Sequence, residues 1–441
     1  MTTVLAAPDL RHERVLFAGL AAVYVTGLAI LFGLGHFGFV YKTLVVPSLF
    51  VVAWLAGRFR AFVRDWSVFL GAVILMDSCR GVIYAAVRRL ELPVYLGYAI
   101  DAERALFGGL IPSAALQRWL FADGQIGTFE RLLVAIHASH FVVFLGFGLL
   151  VWLLRAEAFP RLVWSFIVLM ALGMVGYLAV PTVPPWMASE RFQVLPDVVH
   201  MSTHVYNVSL PAIARTFDLN PIAAMPSLHA AFPTLLTLLC FRHFGRWGWL
   251  MLGYLTVVVF GIVYMGEHYL VDVLAGVALA LVGYVAVYRW PRVAPLLDRM
   301  GRTAARPAGP GSLFWPVTAG ALLLGMSVLL GLASRRVGLG GWNPPEAFIA
   351  RELDGQTPMA DYFRGVNAQR RHDYQRAQPL LVRALPSIRD SAGRVRANLQ
   401  LGESAFHNGD FATVTETLGK QPKLTPEQSR MLSHARMALE R

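Results

Sequence analysis

The chain has 441 residues, 56% of them hydrophobic and only 15% charged, with a mean hydropathy of +0.53. A soluble protein of this length could not hide so much apolar surface, so the composition points to a membrane protein. The net charge of +12 does not argue for nucleic acid, because the arginines gather at the ends of apolar runs; Cys79 and Cys240 lie inside such runs and indicate neither a disulfide framework nor a cysteine metal site.

Taken in chain order, apolar runs of bilayer length predict about nine spans, roughly at 15–35, 43–57, 66–87, 130–154, 162–180, 226–242, 247–265, 268–288 and 313–333. The first lacks a small-residue cleavage site and reads as an uncleaved span. The run at 43–57 is short, suited to a tilted or partly interfacial segment. Arg11, Arg14, Arg58, Arg60, Arg64, Arg155, Arg161, Arg242, Arg246, Arg289, Arg292, Arg299, Arg302 and Arg306 fall on one side under strict alternation. By the positive-inside rule that side is cytoplasmic, with Arg88 and Arg89 as the exception. The plasma (inner) membrane is the expected location.

Two stretches that do not span share the opposite face. Residues 101–121 are amphipathic and interrupted by Gly108, Gly109 and Pro112, which fits an interfacial or re-entrant segment. Residues 181–224 form a long loop that opens Pro181-Thr182-Val183-Pro184-Pro185-Trp186, and loops of that length over a site are often functional.

After the last run the composition turns polar. Gly365, Ala368, Asp373, Tyr374 and Ala377 recur as Gly402, Ala405, Asp410, Phe411 and Val414. The small residues let paired helices approach, and the Asp-aromatic step marks the turn between them. The pattern resembles tetratricopeptide-like helical hairpins. The expected divisions are an N-terminal transmembrane hairpin over 1–65, a catalytic membrane domain over 66–290, a linker with the last span over 291–340, and a soluble helical tail over 341–441. The tail is expected on the same side as the site, available to a protein partner, and removable without unfolding the core.

Two segments carry the chemistry: Pro226-Ser227-Leu228-His229 and Gly266-Glu267-His268-Tyr269-Leu270-Val271-Asp272. Asp272 follows His268 by four residues, one helical turn. A carboxylate there can accept the imidazole Nδ1 proton and leave Nε2 free to attack phosphorus, while His229 donates a proton to the leaving oxygen. Ser227 can cap a helix whose free N–H groups bind phosphate oxygens. His137 and His140, in the fourth run, suit an interhelical hydrogen-bonded role over the lining of a polar pocket, and Glu267 suits the rim over headgroup binding. Neither a zinc-ligand spacing nor a nucleotide-binding glycine loop is present, and this mechanism needs no metal or cofactor.

These segments resemble the second and third signature motifs of the type 2 phosphatidic acid phosphatase superfamily. The His229-Ala230-Ala231-Phe232-Pro233 continuation, Pro184-Pro185-Trp186 and Glu103-Arg104-Ala105-Leu106-Phe107-Gly108-Gly109 are similar to the inositol phosphorylceramide synthase branch. The resemblance covers residues 66–290. It implies His268 as nucleophile, Asp272 as its orienting partner, His229 as general acid and Ser227 in the phosphate cradle. Leu228 stands where the superfamily has glycine, as the synthase branch allows. Gly261 and Ile262 stand where it has Ser-Arg, and its first motif is absent, so the phosphate-binding arginine must come from elsewhere. Arg104 is the first candidate and Arg80 the second.

The expectation is an all-α polytopic membrane bundle with a six-span catalytic core. It acts on a lipid phosphate ester through a phosphohistidine, with headgroup transfer favoured. Water as acceptor would make it a lipid phosphate phosphatase. A non-catalytic scaffold with a partner-binding tail is the alternative from another class.

Overall fold

The computed structural model describes residues 15, 18, 19, 45–121, 124–209, 220–336, 342–389 and 391–440. Most of the first expected span, 15–35, lies outside them. The second is a helix of only ten residues, α1 (Val46–Leu55), begun by Pro47 and followed by a turn at Gly57, whose φ is +65°. At 1.5 Å per residue it cannot cross a bilayer.

The remaining expected spans are helices: α2 (Phe59–Arg89), α5 (Thr128–Leu154), α6 (Phe159–Ala179), α7 (Leu228–Phe244), α8 (Gly248–Tyr264), α9 (Leu270–Tyr288) and α10 (Phe314–Arg336). Before α5 come two short helices, α3 (Gly97–Leu106) and α4 (Pro112–Leu120), over the stretch expected to be interfacial. Among the described residues, five helical stretches are long and apolar enough to cross a membrane, or six with α5, which bends by 46° at residue 141. One of the five, Leu228–Tyr264, is a hairpin. Gly245 closes α7 at φ +58°, and α8 returns so that its end brings His268 back beside His229. The protein is an all-α integral membrane bundle.

Packing in the bundle depends on aromatic side chains at one end and small residues at the other. Phe62, Trp66, Phe69, Trp152, Phe159 and Phe166 form a buried cluster among α2, α5 and α6. Phe62 stacks on Trp66 at 5.1 Å, and Trp152 meets Phe62 edge-on at 5.6 Å. Nearer the site, glycines permit close approach. A Cβ at Gly173 would lie 2.7 Å from Leu228, and one at Gly176 would overlap Pro226. Helix α6 thus provides the flat surface on which the Pro226–His229 turn lies.

The tail pairs its helices α11 (Met359–Arg370), α12 (Tyr374–Ala384), α13 (Ser391–His407), α14 (Phe411–Leu418) and α15 (Pro426–Leu439). The repeated residues have equivalent roles. Gly365 admits Leu381 and Gly402 admits Leu418, while Asp373 and Asp410 cap α12 and α14 by accepting from Arg376 N–H and Thr413 N–H. The tail is not a detached appendage, however. Trp342, Phe348, Ile349, Leu353, Phe363 and Ala397 share one apolar cluster with Tyr84, Leu96, Val183, Phe192, Val198 and Tyr269. Glu352 also accepts from Leu96 N–H at 3.2 Å and Gly97 N–H at 2.8 Å, and the Thr357 hydroxyl donates to the Phe192 carbonyl at 2.8 Å. Removal of the tail would therefore uncover the loops that hold the site.

At the opposite end of the bundle, Arg58, Arg60, Arg155, His243 and Arg306 line a basin of about 880 Å³. This basic end is the one the arginine count assigns to the cytoplasm.

Candidate active site

Three extended pieces of loop build the floor of the site. Tyr95, Thr182 and Ala223 pair side by side in parallel. The Tyr95 N–H donates to the Pro181 carbonyl at 2.8 Å, and the Thr182 N–H donates to the Ile222 carbonyl at 2.8 Å. This pairing fixes the backbone at Ala224, whose carbonyl accepts from His268 Nδ1 at 2.9 Å.

His268 is almost fully buried, and Asp272 Oδ2 lies 3.6 Å from the same Nδ1. The expected Asp272 partner is present, but the shorter bond goes to Ala224. Both neighbours are acceptors, so the proton sits on Nδ1 and Nε2 carries the lone pair. Asp272 Oδ2 also accepts from Tyr269 N–H at 2.9 Å, while the Asp272 carbonyl accepts from Ser227 N–H at 3.0 Å. The two motifs are thereby tied to each other through backbone as well as through side chains. Ser227 caps α7 as expected, its Oγ accepting from Ala230 N–H at 3.3 Å.

His268 Nε2 and His229 Nδ1 are 3.0 Å apart. Since Nε2 holds a lone pair, His229 Nδ1 is the donor, and the His229 Nε2 lone pair then turns away from His268. His137 and His140 flank the His229 ring. Their rings stand edge-on to His229, with centroids at 4.4 Å and 4.7 Å. These two histidines line the site, the second of the two roles weighed for them. Their one sequence signal was an i,i+3 histidine pair in an apolar run. One nitrogen from each of the three rings lies within 4.8 Å of the other two, close enough among the described residues to hold a metal.

The two arginine candidates separate. Arg104 is half exposed, its guanidinium 3.9 Å from Asp101. Its neighbour Glu103 faces inward instead, fully buried, accepting from Leu270 N–H at the start of α9 at 2.5 Å. Arg80, on α2, lies within electrostatic reach of His229 and His140, and its buried Nε has no hydrogen-bond partner among the described residues.

Burial pushes the Glu103 carboxyl up to about 7 against the helping bond from Leu270. A raised carboxyl pKa means that the folded state holds the proton more tightly than the unfolded chain. Its contribution is therefore fully present below about pH 4.5 and is lost as pH rises toward about 7. Glu103→Gln is expected to flatten this slope, which a pair of thermal unfolding curves at pH 4 and pH 8 (roughly either side of the transition) would detect. Identical slopes in both proteins would remove Glu103 as the cause.

Glu267 is not on the rim. Its side chain is 16% exposed, bonded to His200 Nε2 at 3.1 Å and to the Ser202 hydroxyl. Burial works against its charge, yet His200 and Ser202 hold its carboxyl well below the usual range. Trp186 stacks flat on His200 at 4.2 Å and anchors the long loop against Gly266, whose φ of +75° and contact with Val198 leave no room for a side chain.

Residues 99–286 match the model of the PAP2 superfamily. The chain is 24% identical over 290 residues to the phosphoinositol dihydroceramide synthase of Bacteroides thetaiotaomicron, a match that covers 60% of this chain and 90% of that protein. No solved structure matches the chain. The matched region runs from α3 through both histidine motifs to the end of α9; there the chain is similar to the PAP2 superfamily and to a synthase of the inositol phosphorylceramide kind, which supports a lipid phosphotransferase or phosphatase.

Proposed function

We propose that the chain transfers a phosphorylated headgroup between lipids through a phosphohistidine on His268. The observation that carries this is the directed hydrogen-bond chain from the Ala224 carbonyl through His268 to His229. Substrate phosphorus takes the place of the His229–His268 contact. Nε2 of His268 attacks, the bond from phosphorus to the lipid oxygen breaks, and His229 in its imidazolium form gives that oxygen its proton. The imidazole gains positive charge as the N–P bond forms, and Asp272 and Ala224 on Nδ1 stabilise that charge. An acceptor hydroxyl then loses its proton to His229, attacks phosphorus and releases His268. The headgroup in the name of the similar synthase favours a phosphoinositol donor and a ceramide-like acceptor. The arginine distribution supports a site on the extracytoplasmic face, with the tail beside it.

Vanadate forms a pentacoordinate adduct resembling transferring phosphorus, so it should bind the wild type and lose binding in His268→Ala. Equal binding by both would overturn the nucleophile assignment. A labelled phosphoinositide offered with a ceramide-like alcohol separates the acceptors: a new phosphodiester lipid supports transfer, and release of the phosphorylated headgroup to water supports hydrolysis.

Arg80 is the better placed of the two cations to stabilise phosphoryl oxygens. Arg80→Lys is expected to lower turnover by roughly tenfold or more, because lysine lacks the bidentate fork. Arg104→Ala should leave kcat near wild type. The reverse ranking in steady-state kinetics would return the role to Arg104.

A further inference from the structure

We infer that the basin at the end of the bundle opposite the site binds the phosphate of an anionic phospholipid. Four separate stretches of chain converge to bring Arg58, Arg60, Arg155, His243 and Arg306 onto its lining, where Glu157 is the one acidic side chain among the described residues. The positive-inside rule asks for arginines on one side of the bilayer, not for their convergence in one hollow. Basic hollows between membrane helices at that level suit phosphorylated headgroups.

Paired groups hold the walls of the basin in place. Arg64 is buried and bonded to Asp65 at 2.6 Å. It also donates to the Ala304 and Arg306 carbonyls at 3.0 Å each, which ties the 304–308 segment to α2. Arg161 pairs with Asp298 at 2.6 Å, and a Cβ at Gly301 would collide with the Glu157 carbonyl, so the helix Ala294–Ala304 packs tightly on the turn between α5 and α6. Arg58 lies 4.2 Å over the Trp152 ring and donates from Nη1 to the Trp152 and Leu153 carbonyls at 3.3 Å and 3.2 Å. The first turn of α2 borders the hollow at Arg60 and Ala61, and a helix start favours anions.

Two observations favour a lipid over a free phosphate ion. The volume of about 880 Å³ is far more than the ion needs and admits a glycerophosphate headgroup. Trp247, Trp249, Trp290 and Trp315, at helix ends on this side of the bundle, are all exposed. Tryptophans so placed mark the headgroup layer, and the exposed Leu154 carries the rim of the basin toward the acyl chains.

The full-length protein, purified in detergent and depleted of lipid, would be given phosphatidylglycerol or phosphatidylcholine and followed by native mass spectrometry and thermal unfolding. One phosphatidylglycerol should be retained at least tenfold more tightly than phosphatidylcholine and should raise the melting temperature. Arg155→Gln combined with Arg306→Gln should weaken that retention by roughly thirtyfold, at about fivefold for each arginine beside an anionic headgroup. Arg246→Gln combined with Arg292→Gln removes the same charge from exposed positions outside the basin and should leave retention unchanged. Cooperative unfolding of both double variants without lipid reports that they fold. Millimolar inorganic phosphate separates the two sources, since it should neither displace the lipid nor reproduce its thermal shift. Success of phosphate on either count would make a free anion the ligand and overturn the lipid assignment. Equal retention of the two lipids, or equal retention by the two double variants, would overturn the site. If the basin variant fails to fold, the wild-type lipid preference and Arg155→Gln alone decide the question.

Discussion

Replacing His268 by alanine is expected to remove turnover altogether, because its Nε2 is the lone pair that the proposed reaction places on phosphorus. His229→Ala should behave differently. General acid catalysis contributes about 10²–10⁴-fold, and the loss falls on a lipid alkoxide, which leaves poorly without a proton. With a phenolic leaving group the first step no longer needs that proton, so the defect in His268 phosphorylation should shrink. The second step still needs a base for the acceptor hydroxyl. A ³²P-labelled activated donor should therefore accumulate label on His268 in the His229→Ala protein, stable to base and lost in acid. Label on any residue other than His268, or wild-type turnover by His268→Ala, would refute the assignment.

The second large effect is steric and acts through the backbone. A Cβ on Gly276 would collide with the Ser227 carbonyl and press on Ala231 N at 3.4 Å. Helix α9 would have to move away from the start of α7, stretching the Ser227 N–H to Asp272 carbonyl bond that joins the motifs. Overpacking of this kind costs about 1–3 kcal/mol, and a displacement near 1 Å at a reacting centre can cost about 10²-fold in rate. Gly276→Ala is expected to lower kcat by roughly 10–100-fold in a protein that still assembles. Gly253→Ala on α8 is the control, since nothing lies within 4 Å of its added methyl. That change should be neutral or stabilising, as alanine in a helix is favoured by about 1 kcal/mol over glycine. If the two variants show the same kcat and melting temperature, the close contact is not what positions Ser227.

The side chains of the candidate site were legible in the sequence, and the backbone groups that hold them were not. His229, His268 and Asp272 are rare ionisable groups near the ends of apolar runs, and their spacing alone suggested an acid, a nucleophile and an orienting carboxylate. The Ala224 carbonyl, which makes the shorter bond to His268, has no signature because every residue carries a carbonyl. Its position depends on pairing among segments near residues 95, 182 and 223, which no local pattern announces. The preference for Arg104 over Arg80 as the phosphate-binding cation took no account of helical phase. Ala99, Ile100 and Glu103 share the buried side of α3, so the charge that faces inward is the acidic one. Helix lengths in the bundle were readable from hydropathy. The brevity of α1 was signalled by Pro47 and Gly57, which bound the same apolar run.

The shared apolar cluster between tail and loops also sets an order of assembly. Tyr84, Val183 and Phe192 leave the ribosome well before Trp342, Phe363 and Ala397, with which they pack. At roughly 5–20 residues per second, the loops wait on the order of ten seconds or more with that surface uncovered. The floor beneath the nucleophile is therefore finished by the chain's later segment, after the membrane helices that precede it have been made. A ribosome that stalls beyond α10 would leave an inserted bundle whose loop face stays uncovered.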